Sequence, residues 1–439
     1  MIRSKVIANA AWIITCKIIQ AILALVINML TARYLGPAQF GTINYASSLV
    51  SFVVPIMQLG INSILVQELV NHPEKDGEIL GTSITMNVVS AFLCLLGIFA
   101  FVSIANAGEK ETILVCLLYS ITLVFQALEM VQYWFQAKLL SKYTSITMLF
   151  AYLVVSGYRI FLLISNKNIY WFAIANTLDC LLIAIMLICL YYRLGGNRFV
   201  FSINMAKKLL FKGRYFIISS LMITIFSQTD RVMLKLMIDE SATGYYSAAV
   251  ACALLSNFIF AAILDSARPT LFESRKRNHQ EFEKSVVLLF SIINFLSFAQ
   301  CIVMTLFADL IVKLLYGSMY EPSIVILRLV VWYTTFSYAG TVRSIWILAE
   351  GQQKYLWVIN LSGAIINVIL NFIFIPIMGA QGAALTSLVT QCLTNIVVVQ
   401  LIKPLRRSNY LLLLSFNPMF LIKSIKELFK SEQSKIIER

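Results

Sequence analysis

The chain is predicted to be an all-α integral membrane protein with twelve transmembrane helices in two six-helix halves. Three observations predict it. Twelve apolar stretches of membrane-spanning length run through 439 residues, 59% of them hydrophobic and only 13% charged, with a mean hydropathy of +0.82. The stretches are continuous, whereas a β-barrel would alternate apolar and polar residues, and a soluble domain of this size is far more polar. The cations between the stretches favour one side of the membrane strongly, as a fixed orientation requires.

The spans are expected at about 6–30, 43–66, 81–105, 112–135, 144–165, 169–192, 214–237, 244–267, 285–308, 323–348, 355–377 and 381–402. Each approaches the ~20 residues needed to cross roughly 30 Å of hydrocarbon. The first run is too long for a signal-peptide core and lacks a small-residue cleavage site, so it is expected to remain as the first helix. With the N-terminus inside, the inner segments hold twenty-five Lys and Arg. The outer segments hold five: Arg33, Lys110, Lys167, Lys235 and Lys313. Both termini are therefore expected to be cytoplasmic. The net charge of +14 is mostly this bias, which also suits anionic lipid headgroups, and it calls for no nucleic-acid partner.

Eight cysteines lie in apolar windows without CxxC or Cys/His spacing, and His72 and His279 fall in loops. Neither a disulfide framework nor a metal or cofactor site is indicated.

The organisation expected is a first bundle over 1–192, a basic cytoplasmic linker over 193–213, a second bundle over 214–402 and a basic tail over 403–439. The halves echo one another. Gly41-Thr-Ile-Asn-Tyr-Ala46 opens span two and Gly244-Tyr-Tyr-Ser-Ala248 opens span eight. Lys142-Tyr143 precedes span five and Lys354-Tyr355 precedes span eleven. Six spans per half preserve orientation, so the repeat would be parallel about the membrane normal.

Helical periodicity collects polar residues into faces. In span one, Asn9, Lys17, Gln20, Asn28 and Thr31 share roughly a 100° arc. In span two, Asn44, Ser48, Ser51, Gln58 and Asn62 share a narrower one, with Pro55 among them. In span seven, Ser220, Thr224, Ser227 and Arg231 share a face. Such faces must meet protein or water. Ser and Thr read best as helix packing. Lys17 with its amide neighbours reads better as the wall of a water-filled central cavity.

Five cations lie inside spans: Lys17, Arg159, Arg231, Arg328 and Arg343. A charge at mid-membrane costs roughly 2.5–3.5 kcal/mol on the lenient insertion scale, so buried positive charge points to a negative cargo. Arg159 and Asp179 differ in height by about 7.5 Å at helical rise, and pairing or a substrate role for Arg159 are both open. Arg328 can snorkel outward, and Arg343, about five residues from the inner end of its span, can also snorkel. Asp230 and Arg231 point about 100° apart and do not simply neutralise each other. Asp179, Asp230, Asp265 and Glu129 are each able to titrate with a coupling ion, and the sequence does not choose among them. In the tail, Phe416, Phe420, Ile425, Leu428 and Phe429 alternate with Lys423, Lys426 and Lys430. Either an interfacial helix or a loosely ordered basic tail fits.

The sequence resembles the bacterial O-antigen and polysaccharide repeat-unit flippases, the polysaccharide-transporter branch of the multidrug/oligosaccharidyl-lipid/polysaccharide exporter superfamily. Lys17 followed by Arg33-Tyr-Leu-Gly-Pro-Ala-Gln-Phe-Gly41 and Tyr45-Ala46 is similar to that family's first span and first outer loop. Gln228-Thr-Asp-Arg-Val-Met-Leu234 with Gly244-Tyr-Tyr-Ser-Ala248, and Gly379-Ala-Gln-Gly-Ala-Ala384, resemble its seventh span and the turn into its last. None of these motifs is catalytic, and the resemblance implies a transporter rather than an enzyme.

It implies a V-shaped pair of bundles, like that of the multidrug extruders, around a cavity with alternating access in the bacterial inner (cytoplasmic) membrane. The implied cargo is an undecaprenyl-diphosphate-linked oligosaccharide. The family's cavity cations would map to Lys17 and Arg231 as diphosphate-binding residues, with Arg159 and Arg343 as weaker carry-overs. Gln20, Asn28, Asn44, Gln58 and Asn62 would contact sugar, and Asp179, Asp230 or Asp265 would couple an ion. Membrane lipids, a polysaccharide polymerase and a chain-length regulator are the further partners implied. A multidrug extruder of the same fold is the alternative, disfavoured because extruders of organic cations tend to carry acidic cavities. The outer loops near 236–243 and 309–322 are too short for a membrane glycosyltransferase or polymerase, and buried cations are a costly feature for a mere scaffold.

Overall fold

Hydrocarbon offers no water to backbone N–H and C=O groups, so apolar runs of this length close their hydrogen bonds within helices. A computed structural model describes the backbone of residues 2–417 and 419, and the side chains of Trp12, 15–417 and 419. The side chain of Asn9 and the tail residues Phe420, Lys423, Ile425, Lys426, Leu428, Phe429 and Lys430 lie outside the described residues. The helices are α1 (Ile2–Met57), α2 (Asn62–Asn71), α3 (Asp76–Ala105), α4 (Lys110–Ser120), α5 (Thr122–Leu128), α6 (Gln132–Ala137), α7 (Ser141–Ile164), α8 (Ile169–Arg193) and α9 (Ile203–Met237). They continue as α10 (Glu240–Ala253), α11 (Asn257–Arg277), α12 (His279–Leu306), α13 (Ala308–Tyr316), α14 (Ser323–Ala349), α15 (Leu356–Met378), α16 (Ala380–Cys392), α17 (Val399–Leu401) and α18 (Arg406–Leu414).

Among the described residues, 10 helices are long and apolar enough to cross a membrane, or 11 if α10 and α11, bent by 48°, form one span. The first expected span and most of the second fall in α1; the second continues past Met57 into α2. Gly36 interrupts α1 with φ 72° and ψ 174°, a conformation open to glycine and strained for other residues. Pro37 follows, with its φ already set for a new first turn. The eighth span, expected as one helix over 244–267, is the bent pair α10 and α11. Only Ser256 and Asn257 mark the bend in the sequence, a polar step too short to end the apolar run.

The chain folds as two compact units, Met1–Gly244 and Tyr245–Arg439. The first includes α9, the seventh expected span. Half of the basic 193–213 segment is helical, since α9 begins at Ile203 with the Ser202 hydroxyl accepting from the Met205 N–H at 3.4 Å. The residues before it bind along α3. Asn197 Nδ2 donates to Asp76 Oδ1 at 2.6 Å, Val200 N–H to the Gly77 carbonyl at 3.1 Å, and Ser202 N–H to Thr82 Oγ1 at 3.0 Å.

Charge clusters hold α9 at both ends. Near its start, buried Glu68 of α2 accepts from Lys208 at 2.6 Å and from Lys212. Burial raises the Glu68 pKa, but the hydrogen bonds and charges of the two ammonium groups outweigh it and hold the carboxyl below its ordinary 4.5. Beside this cluster, Gly60 and Gly213 let the backbones touch: a Cβ on Gly213 would stand 2.6 Å from the Leu59 carbonyl oxygen. At the far end, buried Lys235 pairs with Glu109 and Glu240, each at 2.7 Å.

In the second unit, Phe282, Phe290, Ile293, Val342 and Trp346 form a core with Leu405, Leu411 and Leu412. The beginning of the tail is therefore a docked helix. Ser291 Oγ donates to the Ser415 carbonyl and Asn294 Nδ2 to Ser415 Oγ, both at 2.9 Å. Arg407 grips Glu283 with both Nε, at 2.7 Å, and Nη2, at 2.6 Å.

Candidate functional site

The polar residues of α1 on either side of Gly36 line one cavity of about 160 Å³ in the first unit. Asn28 and Thr31 come from before the break, and Phe40, Ile43, Asn44 and Ser47 from after it. Tyr119 of α4, Arg159 of α7 and Phe172 and Asn176 of α8 complete the lining. Three residues expected at a site, Asn28, Asn44 and Arg159, thus meet in one place.

Among the described residues, Arg159 is the only charged one lining this cavity. Its Nη2 donates to Asn176 Oδ1 at 2.7 Å, and the guanidinium also faces the Tyr152 hydroxyl and the Asp179 carboxyl. Among the described residues Arg159 forms no ion pair. Pairing with Asp179, one of the two roles left open by the sequence, is not made: Asn176, one turn earlier on α8, takes the hydrogen bond. One Asp179 carboxyl oxygen is buried without a hydrogen-bond partner. Arginine keeps its charge in protein environments, and a half-buried guanidinium in a low-dielectric setting attracts anions more strongly than it would in water. Asn44 donates from Nδ2 to the Phe40 carbonyl at 2.8 Å, which holds its amide at the wall.

The remaining expected residues lie elsewhere. Lys17 is exposed on α1, eleven residues from Asn28, or about 16 Å at helical rise. Gln20 is half-buried. The stripe expected along span two is not continuous, because Leu59 and Gly60 take positive φ and end the helix. Gln58 and Asn62 lie at that break and bond each other at 2.5 Å. On α9, Arg231 Nη1 donates to Gln228 Oε1 at 3.0 Å, and Ser48 Oγ reaches the same oxygen at 3.1 Å. Asp230 beside it is buried.

Arg343 neither snorkels nor lines this cavity. It is 1% exposed in the second unit and donates to Ser408 Oγ at 3.1 Å, Asn395 Oδ1 at 3.2 Å and Asn409 Oδ1 at 2.8 Å. Arg328 is exposed, as snorkelling requires. Asp265 is exposed too and lies 3.5 Å from Arg268. Glu129 has one buried carboxyl oxygen without a partner. Among the described residues no group of three or more His, Cys, Asp or Glu could hold a metal ion.

Asn176 and Tyr119 were not singled out from the sequence. The available signal was the spacing of Asn176 and Asp179, three residues apart on one helical face. Tyr119 carried none, since an aromatic residue in an apolar run is ordinary.

The sequence match to the family described as "Polysaccharide biosynthesis protein" covers residues 6–275, more than half of the chain. The chain belongs to that family. This bears out the resemblance carried by the first and seventh spans, which lie within the match. A capsular polysaccharide biosynthesis protein of Staphylococcus aureus, CapF, is 23% identical over 402 residues, covering 88% of this chain and 96% of the relative. Among solved structures, the lipid II flippase MurJ in an inward closed conformation aligns with a TM-score of 0.71 at 16% identity, covering 97% of this chain and 99% of MurJ. An inward-facing multidrug resistance MATE transporter aligns with a TM-score of 0.67 at 14% identity, covering 89% and 95%. The family member described here therefore has the helical fold shared by flippases and extruders.

Proposed function

We propose that the protein is a flippase that moves undecaprenyl-diphosphate-linked oligosaccharide repeat units, of O-antigen or a similar surface polysaccharide, across the bacterial cytoplasmic membrane by alternating access. The observation that carries this reading is a polar cavity within apolar helices whose cation, Arg159, makes no ion pair with a carboxylate among the described residues and is hydrogen-bonded to an amide. Such a site accepts an oxyanion and sugar hydroxyls together, as a diphosphate-linked sugar demands. Membership of a polysaccharide biosynthesis family and a fold shared with MurJ support it. Counting the two segments of α1 as separate spans, and α10 with α11 as one, brings the total to twelve with both termini cytoplasmic. The repeat halves are then 1–192 and 214–402. Lys17 and Arg231 are the further diphosphate contacts, and Gln20, Gln58 and Asn62 the further sugar contacts. A polymerase and a chain-length regulator would receive the product.

Deletion of the gene is expected to abolish surface-glycan display and to leave lipid-linked repeat units on the cytoplasmic side. Complementation with Lys17→Ala, Arg159→Ala or Arg231→Ala should fail at normal membrane levels. Intact glycan display in the deletion strain would refute the reading. The fold shared with MATE transporters favours one second reading, a multidrug extruder. Its signature would be drug sensitivity in the same deletion strain, which the basic cavity argues against.

A further inference from the structure

Cations on this chain are not gathered at one level. Helix ends fix the depth of the Arg159 cavity: Asn28 and Thr31 precede the Gly36 break, Asn44 follows it, and Asn176 lies early in α8. Arg159 lies near the end of α7, five residues before Ile164. All are within about two turns of helix ends on one side of the membrane, on the order of 10 Å. The loop cations assign that side to the exterior. Lys17 lies about 16 Å deeper along α1, exposed and, among the described residues, without a hydrogen bond or ion pair. No single phosphate group spans that distance.

The cavity is also small. At roughly 160 Å³, against the ~10–15 Å³ that one water needs by the same measure, it has room for a small oxyanion such as diphosphate. The arginine within it is held in a particular way. Asn176 Oδ1 accepts one guanidinium N–H and adds no negative charge, and Tyr152, which the guanidinium also faces, is neutral too, so the groups in contact with Arg159 do not cancel its charge. An aspartate at this position would accept the same hydrogen bond and neutralise the charge.

Resting on the flippase reading, we propose that the Arg159 cavity is a separate outer-half station for the substrate diphosphate, with Asn176 as the positioning residue that keeps Arg159 available to it. Substrate engaged at the level of Lys17 is handed to Arg159 before release on the outer side. Asn176 holds one guanidinium N–H in the cavity wall, so that Asp179, one turn along the same helix, faces Arg159 without an ion-pair contact.

The test is titration of the purified full-length protein, in lipid nanodiscs, with inorganic diphosphate, followed by calorimetry and paired with thermal unfolding. Wild-type protein is expected to bind, and Arg159→Ala to lose that binding. Asn176→Asp should weaken it at least tenfold with no fall in Tm, since the hydrogen bond to Arg159 survives. Asn176→Ala should weaken it severalfold, and it serves if the aspartate variant does not fold. Arg328→Ala, at an exposed cation outside the cavity, should leave the binding intact. The proposal is overturned if wild-type protein shows no binding, if Asn176→Asp and Asn176→Ala both bind like wild type, or if Arg159→Ala binds like wild type. Each of these leaves the flippase reading standing, because that reading fails separately, through normal glycan export in the deletion strain.

Discussion

Arg343 Nη2 donates to Asn409 Oδ1 at 2.8 Å, joining α14 to the docked helix α18 inside the second unit. The same guanidinium reaches Asn395, which lies in the π-helical turn Leu393–Val398. One buried cation, solvated by neutral oxygens, thus ties together three segments near one end of α14. Arg343→Ala would strand three buried acceptors, each costing about 1–3 kcal/mol when left unmade. The variant is expected to lose about 3 kcal/mol of stability and to fall in membrane abundance, measured by thermal unfolding in detergent and by immunoblot. Wild-type stability in this variant would show that the clasp carries no weight.

A different loss is expected at Lys235. Its side chain is 3% exposed, while Glu109 and Glu240 are 42% and 31% exposed. Removing one partner of a fully buried pair costs about 3–5 kcal/mol, but these carboxylates can recover water. Lys235→Ala should therefore cost only about 1–2 kcal/mol. A double-mutant cycle with Glu109→Gln would measure the coupling, and zero coupling would exclude the ion pair as the fastener of this end of α9.

The opposite end of α9 should respond to pH. Glu68 has a folded-state pKa held below its ordinary 4.5 by Lys208 and Lys212. A carboxyl depressed on folding contributes stability that is complete above the unfolded pKa and is lost as pH falls through the folded value. Unfolding scans from pH 7 down to 3 should show a loss of stability below about 4.5 that is smaller in Glu68→Gln. Parallel curves for the two proteins would contradict the assignment.

Packing provides a further test beside that cluster. A Cβ on Gly213 would lie 2.6 Å from the Leu59 carbonyl oxygen and 3.3 Å from the Gly60 carbonyl carbon. Backbone cannot yield as a flexible side chain does, so Gly213→Ala should cost about 1–3 kcal/mol through overpacking. An unchanged or higher Tm, from the better helix propensity of alanine, would mean that α9 shifts without penalty.

Sequence alone determined that this is a helical membrane protein and which polar residues are out of place in it. Hydrocarbon forces about twenty apolar residues per crossing and closes each helix on its own hydrogen bonds, so these features are local and periodic. The same periodicity marked Asn28, Asn44 and Arg159, and the first and seventh spans carried the family. Tertiary structure decided the partners. A helical wheel gives a residue's direction on its own helix but not the height or rotation of the neighbour it faces. Hence Arg159 binds Asn176 rather than Asp179, Arg343 is buried among amides rather than reaching the interface, and the turn at Leu59 and Gly60 divides a stripe that a straight helix would have kept whole.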